Sequence, residues 1–195
     1  ISKLPAEDVQ RGFDGNPIPD EARAISATIG GVRVVDLYVV NGQSTSSDKY
    51  QRKLDWLDTL TRWLDRFFDA EEPLIVCGDF NIAPEARDIH NPKLWDGKVL
   101  CSAPERARLA ALQEWGLADL LRASGEEGAV YSWWDYRFGA FNRDLGLRID
   151  LILGTAPMVE RCREVVVDRE ERNPKSAPSK PSDHAPVIAL FDEAS

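Results

Sequence analysis

Residues 74–81 read LIVCGDFN, a short apolar run that leads directly into a Gly-Asp-x-Asn sequence. Pro73 precedes the run and Gly78 ends it, so the apolar part is bounded on both sides. A continuous apolar run of this length is typical of a strand that is covered on both faces of a sheet. We therefore predict a buried strand here, with polar residues at its carboxyl end.

The segments before this strand predict a hairpin and a helix. Residues 22–29 and 32–40 alternate in the manner of strands around Gly30-Gly31, a pattern that favours an antiparallel pair. Between residues 48 and 69, apolar residues recur at three- and four-residue steps, as in a helix that packs on a sheet and carries Lys, Arg and Asp on its other face. A helix followed by a buried strand indicates a layered α/β fold.

The segments after the strand continue this pattern less regularly. Residues 82–100 contain prolines and little periodicity, which predicts a long loop. Ser102 and Glu105 form a capping box that predicts a helix ending at Gly116. Strand-like runs follow at residues 130–134, 147–153, 165–167 and 185–191. No repeat or linker divides the chain, so we expect residues 1–195 to form one domain.

Composition and charge limit the classes of function. The 195 residues are 43% hydrophobic and 29% charged, as in globular domains. No apolar stretch approaches the roughly 18 residues of a membrane helix, so we expect a soluble protein without membrane contact. Acidic residues outnumber basic ones 33 to 24, which disfavours binding of nucleic acid by charge alone but is compatible with an enzyme that holds phosphate through a metal.

The chain contains three cysteines, Cys77, Cys101 and Cys162. They are odd in number, far apart and without C-x-x-C spacing, so they indicate neither a disulfide framework nor a zinc site. This use of cysteine fits a reducing compartment. We therefore expect a cytoplasmic protein.

Polar residues follow the predicted buried strand. In an extended backbone, Asp79 and Asn81 point to the same side and Phe80 to the other. A carboxylate and an amide that converge can bind a water or a phosphate oxygen, because Asp79 can accept a proton or bind a hard cation while Asn81 donates to developing charge. The alternative is a simple turn, in which both side chains bond their own backbone.

Residues 180–186, KPSDHAP, contain one of the two histidines of the chain. Asp183 and His184 face opposite ways in an extended backbone, so the imidazole needs another carboxylate to hold one tautomer. Asp150, an ionisable residue inside an apolar strand, is the best candidate because it needs a partner. The alternative is a surface Asp-His pair and a core Asp150 that is paired with Arg148.

Aromatic residues form two further candidates for phosphate or nucleotide contact. Residues 132–137, SWWDYR, combine aromatic rings with a basic residue, Arg137. This composition suits stacking on a sugar or nucleobase and binding of phosphate. Tyr38 precedes Asn41-Gly42, so its hydroxyl should emerge near a sheet edge where it could meet a phosphate. The alternatives are core packing for the tryptophans and cross-strand packing for Tyr38.

Five segments, taken together and in order, resemble the exonuclease III family of abasic-site endonucleases, within the endonuclease/exonuclease/phosphatase superfamily. The segments are residues 37–42 (LYVVNG), 78–81 (GDFN), 133–137 (WWDYR), 142–153 (NRDLGLRIDLIL) and 180–186 (KPSDHAP). The resemblance implies a four-layer α/β-sandwich of the DNase I-like type. It also implies a DNA repair nuclease that cleaves the phosphodiester 5′ to abasic sites and removes nucleotides from 3′ ends, with Mg²⁺ or Mn²⁺.

The resemblance implies a catalytic role for single residues. Asp79 would activate the attacking water, Asn81 would stabilise the transition state, and Tyr38 would contact the phosphate. His184 would be paired with Asp150. These roles agree with an in-line displacement, in which a carboxylate deprotonates water and donors meet the developing charge.

Binding roles follow from the same resemblance. Asp183 would lie at the metal together with the catalytic carboxylate and amide, Asp79 and Asn81. Asn41, Arg137 and His184 would touch DNA. Trp133 or Trp134 would border the abasic-sugar pocket. The implied partner is double-stranded DNA with abasic sites or 3′ ends, and we expect a monomer.

Two features depart from the family pattern. That pattern begins with an S-F-N-x-N-type strand and a Q-E motif whose Glu is the principal metal ligand, and the chain as given starts at Ile1 without them. We therefore expect the chain to lack part of the N-terminal sheet, with metal affinity in question; Val40 also stands where the family usually has Pro. Two alternatives remain open: a catalytically inactive fragment or DNA-binding remnant, and a phosphatase or phosphodiesterase of the same superfamily that acts on phosphoinositides or sphingomyelin.

Overall fold

The computed structural model describes residues 1–176 and 179–192 as a mixed α/β fold. The strands are β1 (Ala6–Arg11), β2 (Ala24–Ile29), β3 (Val32–Tyr38), β4 (Leu74–Asp79), β5 (Ala118–Asp119), β6 (Asp150–Gly154), β7 (Cys162–Val167) and β8 (Val187–Phe191). The helices are α1 (Asp48–Phe67), α2 (Pro92–Trp95), α3 (Ala103–Trp115), α4 (Leu120–Ala123) and α5 (Ala156–Arg161). Within the described residues, none of these helices is long and apolar enough to cross a membrane.

Strands β1 to β6 form one sheet in the order β1-β2-β3-β4-β6-β5, and β7 pairs with β8 in a second, antiparallel sheet. Strands β2 and β3 are antiparallel neighbours joined at Gly30-Gly31, so the predicted hairpin is confirmed. Strand β3 runs parallel to β4, and β4 runs antiparallel to β6. The carboxyl ends of β3 and β4 therefore meet at the same edge of the sheet as the start of β6.

The large sheet is covered on both faces, as the sequence of β4 predicts. Val76 packs in the cluster that includes the buried faces of α1 and α3. Ile75 points the other way and packs with Met158 of α5 and Phe191 of the second sheet. The described residues thus form a helical layer, a six-stranded sheet and a two-stranded sheet, so the layered α/β fold is confirmed and three of the four expected layers are described.

Both long helices form where the sequence predicts them. The side chain of Ser47 caps α1 by accepting a hydrogen bond from the Tyr50 N–H at 3.2 Å. The predicted capping box begins α3, and Gly116, at φ +131°, ends it. Two residues of α1 differ from expectation: Phe67, in the last turn, is 51% exposed, and Lys53 is fully buried instead of lying on the polar face.

The strands predicted at residues 130–134 and 147–153 are wrong in their bounds. Strand β6 begins only at Asp150, and the earlier segment makes isolated bridges, in which Trp133 pairs with both Leu147 and His184. No regular ladder forms there because the N–H groups of Ser132 and Trp133 both donate to the single carbonyl of Leu147, at 2.9 Å each. These bridges bring three distant segments together beside the end of β4.

Candidate active site

Three polar side chains form a row across neighbouring strands at one edge of the large sheet. Tyr38 of β3 is the register partner of Asp79 of β4, and Asp79 is the register partner of Asp150 of β6. Residues paired across strands project from the same face, and neighbouring strands lie about 4.8 Å apart. The three side chains therefore share one face of the sheet, the face that also packs against the second sheet.

Gly78 is the position that lets β3 and β4 approach each other directly before this row. Its φ is +126°, and a Cβ built there would lie 2.0 Å from the carbonyl oxygen of Leu37. Any side chain would therefore collide with the backbone of β3. This close approach explains the glycine before Asp79 at the end of β4. It occurs one residue before the register pair of Tyr38 and Asp79.

Asp79 and Asn81 converge, as predicted, through a tight local network. The backbone N–H of Asn81 donates to Asp79 Oδ1 at 2.8 Å, and Asn81 Nδ2 donates to Asp79 Oδ2 at 2.9 Å and to the Val39 carbonyl at 3.0 Å. Asn41 Nδ2 donates to Asn81 Oδ1 at 2.8 Å. The turn interpretation holds for Asp79, which accepts the backbone N–H of its own turn, but not for Asn81, whose side chain bonds Asp79 and Val39.

His184 meets Asp150, the partner expected from the sequence. Its Nδ1 lies 2.8 Å from Asp150 Oδ2 and 3.0 Å from Oδ1. The alternative pairing of Asp150 with Arg148 is wrong, because Arg148 is buried and bonds Asp88 and Asp119 instead, each at 2.7 Å. The imidazole is thus held through one nitrogen, which leaves Nε2 for another partner.

Ser132 completes this pair, although no pattern in the sequence predicts a role for it. Its hydroxyl donates to Asp150 Oδ2 at 2.6 Å and accepts the backbone N–H groups of Ile149 and Asp150, each at 3.1 Å. Ser132 is fully buried. A serine between two irregular bridges carries no sequence signal of its own, so only the tertiary structure identifies it as a group that orients Asp150.

Asp183 and the two tryptophans are brought together by backbone pairing. Trp133 Nε1 donates to Asp183 Oδ2 at 3.0 Å, and the Trp134 N–H donates to the Asp183 carbonyl at 3.0 Å. Trp133 is partly exposed, whereas Trp134 is only 1% exposed and its Nε1 donates to Asp144. Trp134 therefore packs in the core and offers no ring face for stacking.

A cleft of about 450 Å³ borders the exposed end of the row. Its lining includes Tyr38, Asn41, three basic residues, Arg23, Lys49 and Arg52, and one acidic residue, Glu21, which pairs with Arg23. Tyr38 is 54% exposed, and the guanidinium of Arg23 lies 4.9 Å from the centre of its ring. The cleft is therefore locally basic in an acidic protein and can hold an anionic chain.

Arg137 lies apart from the other predicted site residues. It occupies a short 3-10 turn, and its exposed guanidinium forms an ion pair with Asp135 at 2.6 Å. In the part of the chain that the structure describes, no hydrogen bond or ion pair joins it to the row. Phe138 beside it is 81% exposed, so this turn presents a guanidinium group and an aromatic ring at the surface.

The two acid-base groups of the site have shifted pKa values. Burial, followed by the negative charge of Asp150, raises the pKa of Asp79 from 3.8 to about 6. Burial alone would lower the pKa of His184, but its hydrogen bond to Asp150 and the surrounding carboxylates outweigh burial and raise it. The site therefore holds a carboxylate of reduced acidity next to an imidazole that favours its charged form.

The donor set fits a hard divalent cation in kind. Asp79 and Asp150 are carboxylates on paired strands; burial and, after it, the negative charge of Asp150 raise the pKa of Asp79, and a cation would offset both effects. Among the described residues, no group of three or more His, Cys, Asp or Glu side chains is arranged to hold a metal. Mg²⁺ usually takes only one or two carboxylates and completes its shell with water and substrate phosphate, so a partial oxygen site is sufficient.

Comparison with known proteins gives matches over nearly the whole chain. Residues 1–184 match the endonuclease/exonuclease/phosphatase family. The chain is 32% identical over 203 aligned residues to an exodeoxyribonuclease III of Haemophilus influenzae. The alignment covers 98% of this chain and 74% of that protein.

Two solved structures are also similar. One is a 3′ phosphatase from Neisseria bound to a product DNA hairpin, with a TM-score of 0.89, 42% identity, and coverage of 98% of this chain and 73% of that one. The other is an AP endonuclease from Archaeoglobus fulgidus, with a TM-score of 0.88, 39% identity, and coverage of 97% and 72%. The similarity therefore spans nearly the whole of this chain and about three quarters of each of these proteins.

Proposed function

Since this chain belongs to the endonuclease/exonuclease/phosphatase family, we propose that it is a DNA repair nuclease that hydrolyses phosphodiester bonds with a divalent metal. The observation that carries the proposal is the row of Tyr38, Asp79 and Asp150 on adjacent strand ends, with His184 bonded to Asp150. We assign to this row and the imidazole bonded to it a general base and donors for the phosphate. Similarity to an exodeoxyribonuclease III and to an AP endonuclease supports DNA as the substrate.

Asp79 is the group best suited to activate the attacking water. Its pKa, raised to about 6, lies close to a physiological working pH, which favours general-base catalysis. Asn81 fixes both oxygens of this carboxylate through its N–H and Nδ2. Both hydrogens of Asn81 Nδ2 are used by protein acceptors, so its part in the transition state is to orient Asp79, while its Oδ1 keeps a lone pair for a cation.

His184 and Tyr38 are the donors for the phosphate. Because Asp150 engages Nδ1 of His184, its Nε2 is the nitrogen that can donate to a phosphate oxygen as negative charge grows there. The Tyr38 side chain is exposed at the other end of the row and borders the basic cleft, where its hydroxyl can donate to the same phosphate. Donors held in place before the reaction stabilise developing charge at little reorganisation cost.

The family depends on divalent metals, and we assign Mg²⁺ or Mn²⁺ to Asp79, Asn81 and Asp183. All three supply oxygen ligands of the kind that these ions prefer. A cation bound there would supply neutralisation of the phosphate charge. The chain's own part would be to keep these oxygens in place, and two contacts support this: the hydrogen bond from Trp133 to Asp183 and the bond from Asn81 to Asp79.

The substrate that we propose is double-stranded DNA with abasic sites or 3′ ends, bound by a monomer. Asn41 lies in the basic cleft, the exposed Arg137 can reach a phosphate, and the partly exposed Trp133 can border the sugar. Trp134 is not among the proposed DNA contacts because it is buried. The three cysteines are free thiols, which fits the cytoplasm that we propose as its compartment.

A panel of substrates tests the proposed function. We expect incision of a duplex with one abasic site, and removal of 3′-terminal nucleotides or phosphate, in Mg²⁺ and in Mn²⁺. EDTA should abolish both, and returned Mg²⁺ should restore them, because the phosphate needs its charge neutralised. The panel also contains a soluble phosphoinositide and sphingomyelin. Hydrolysis of either lipid without action on DNA would favour a phosphatase, and no hydrolysis by a folded chain would favour a DNA-binding remnant.

Replacement of Ser132 by alanine should slow incision, because the Ser132 hydroxyl orients Asp150. We expect Ser132→Ala to lower kcat by about 10-fold and stability by about 1–3 kcal/mol, because two buried N–H groups and one carboxylate oxygen lose their partner. Single-turnover incision and urea unfolding measure the two effects. Ser124→Ala, which removes a side-chain bond to the Leu121 carbonyl, is the matched control and should leave kcat unchanged. Equal kcat for both variants would contradict the orienting role.

A further inference from the structure

Lys53 is a buried charge that the proposed mechanism does not use. It lies in α1, its side chain is completely inaccessible to solvent, and it forms an ion pair with the equally buried Glu105 of α3. Removing two charges from water costs several kcal/mol per ion unless further hydrogen bonds satisfy them. An apolar residue would fill this position between two helices at lower cost. The charge therefore calls for an explanation beyond helix packing.

The three hydrogens of the Lys53 ammonium group reach three different segments. Besides Glu105, its Nζ donates to the carbonyl of Asn81 at 2.6 Å and, in a longer bond, to the carbonyl of Asn41 at 3.4 Å. Asn41 follows β3, and Asn81 follows β4. Lys53 thus joins the backbones of two loops. The Asn41 loop borders the proposed DNA-binding cleft, and the Asn81 loop orients Asp79, the proposed general base.

The same two asparagines are also joined through their side chains, by the 2.8 Å bond from Asn41 Nδ2 to Asn81 Oδ1. Asn81 has a φ of +51°, in the left-handed region that a non-glycine residue occupies only when its surroundings hold it there. A side-chain bond and a shared ammonium group fix the pair at two points. Loss of the ammonium group would release the Asn81 carbonyl, and the N–H and side-chain amide of the same residue orient Asp79.

Glu105 is held independently of Lys53, which makes the ammonium group separable from the fold. The backbone N–H groups of Leu100 and Ser102 each donate to its carboxylate at 3.0 Å, and the Ser102 hydroxyl donates at 2.6 Å. Ser102 in turn bonds the Tyr50 hydroxyl at 2.6 Å. The carboxylate keeps three donors when Lys53 is replaced, so α3 retains its N-terminal cap.

From these contacts we infer that Lys53 is a positioning residue for the proposed nuclease reaction, which fixes the Asn81 and Asn41 loops around Asp79. The inference rests on the proposed function. Lys53 is buried and does not touch substrate, and its shorter carbonyl bond is to Asn81 at 2.6 Å rather than to Asn41 at 3.4 Å, so its larger effect is on the chemical step. A misplacement of a catalytic group by about 1 Å costs on the order of 100-fold in rate.

Replacement of Lys53 by methionine tests this inference, with kcat and KM for incision of an abasic-site duplex as the first readout. We expect Lys53→Met to lower kcat by about 10- to 100-fold and to change KM by less than about 3-fold. Lys53→Met/Glu105→Gln removes both charges and should show the same loss if the single variant fails to fold. Leu112→Ala, a fully buried residue in the interface of α1 and α3, is the control that lowers stability but leaves kcat near the wild-type value.

Hydrogen exchange of the peptides over residues 37–42 and 79–83 is the second readout, and it does not depend on activity. Both loops should exchange faster in the Lys53 variants and not in Leu112→Ala. Unchanged kcat in a folded Lys53 variant would overturn the inference, with or without faster exchange. An inactive wild-type chain would instead contradict the proposed function, and in that case unchanged exchange in the loops would overturn the positioning role.

Discussion

Asp79→Asn should reduce incision of abasic-site DNA by about 10³-fold or more, with the protein still folded. The substitution removes the proposed base, and general acid-base catalysis contributes about 10²- to 10⁴-fold. The turn should survive because the new amide oxygen can still accept the Asn81 N–H, which now donates to Asp79 at 2.8 Å, while the bond from Asn81 Nδ2 to the second carboxylate oxygen is lost. Single-turnover incision at saturating Mg²⁺ measures the loss directly.

Thermal stability in EDTA supplies the control for this variant. The pKa of Asp79 is raised from 3.8 to about 6 in the folded state, so its ionisation opposes folding increasingly between these two pH values and fully above the higher one, by about 3 kcal/mol at most. Its removal should therefore give an equal or higher Tm at pH 7.5. Asp58→Asn, in a surface ion pair with Arg108, is the matched substitution and should keep full activity. Incision by Asp79→Asn at the wild-type rate would contradict the role of this carboxylate.

Replacing either member of the Asp150–His184 pair should cost about 10³-fold in kcat, and replacing both should cost little more. The two side chains act as a unit, because Asp150 holds His184 at Nδ1 so that Nε2 faces the phosphate. Asn at position 150 could no longer accept from both Ser132 and His184 with the same geometry. We expect the losses of Asp150→Asn and His184→Ala to be strongly non-additive in a double-mutant cycle.

The second histidine gives the control for this pair. His90 lies in the loop before α2, and its Nδ1 is 3.1 Å from the Gly146 carbonyl, away from Asp150. His90→Ala should leave kcat within about 2-fold of wild type, as expected for a surface substitution without a special role. Additive losses in the cycle would mean that Asp150 and His184 act separately, and would contradict the orienting role of Asp150.

Sequence patterns were sufficient for the parts of the fold that are decided locally. The buried run before Gly78, the Gly30-Gly31 hairpin and the capping box of α3 each carry their own signal, and each is confirmed. The pairing of Asp150 with His184 also followed from a local argument, since an ionisable residue in an apolar strand needs a partner.

Other features depend on tertiary contacts that local patterns do not encode. Strand β1 reads AEDVQR, with no apolar alternation, and forms because its backbone pairs with β2. Arg148 was weighed as a partner of Asp150 from spacing alone, yet it bonds Asp88 and Asp119, which lie far away in the chain. A helical stripe cannot show that Lys53 is buried, because that depends on where the carbonyls of two distant loops come to lie.

We propose that the row of Tyr38, Asp79 and Asp150 directs water at the phosphate 5′ to an abasic site. The most direct test is incision of such a duplex in H₂¹⁸O with Mg²⁺, followed by mass analysis of both fragments. Attack of water on phosphorus breaks the bond to the 3′ oxygen, so we predict one ¹⁸O on the 5′-phosphate of the downstream fragment and an unlabelled 3′-hydroxyl upstream. Uncut DNA, or an unsaturated sugar end with no label on the phosphate, would contradict the account.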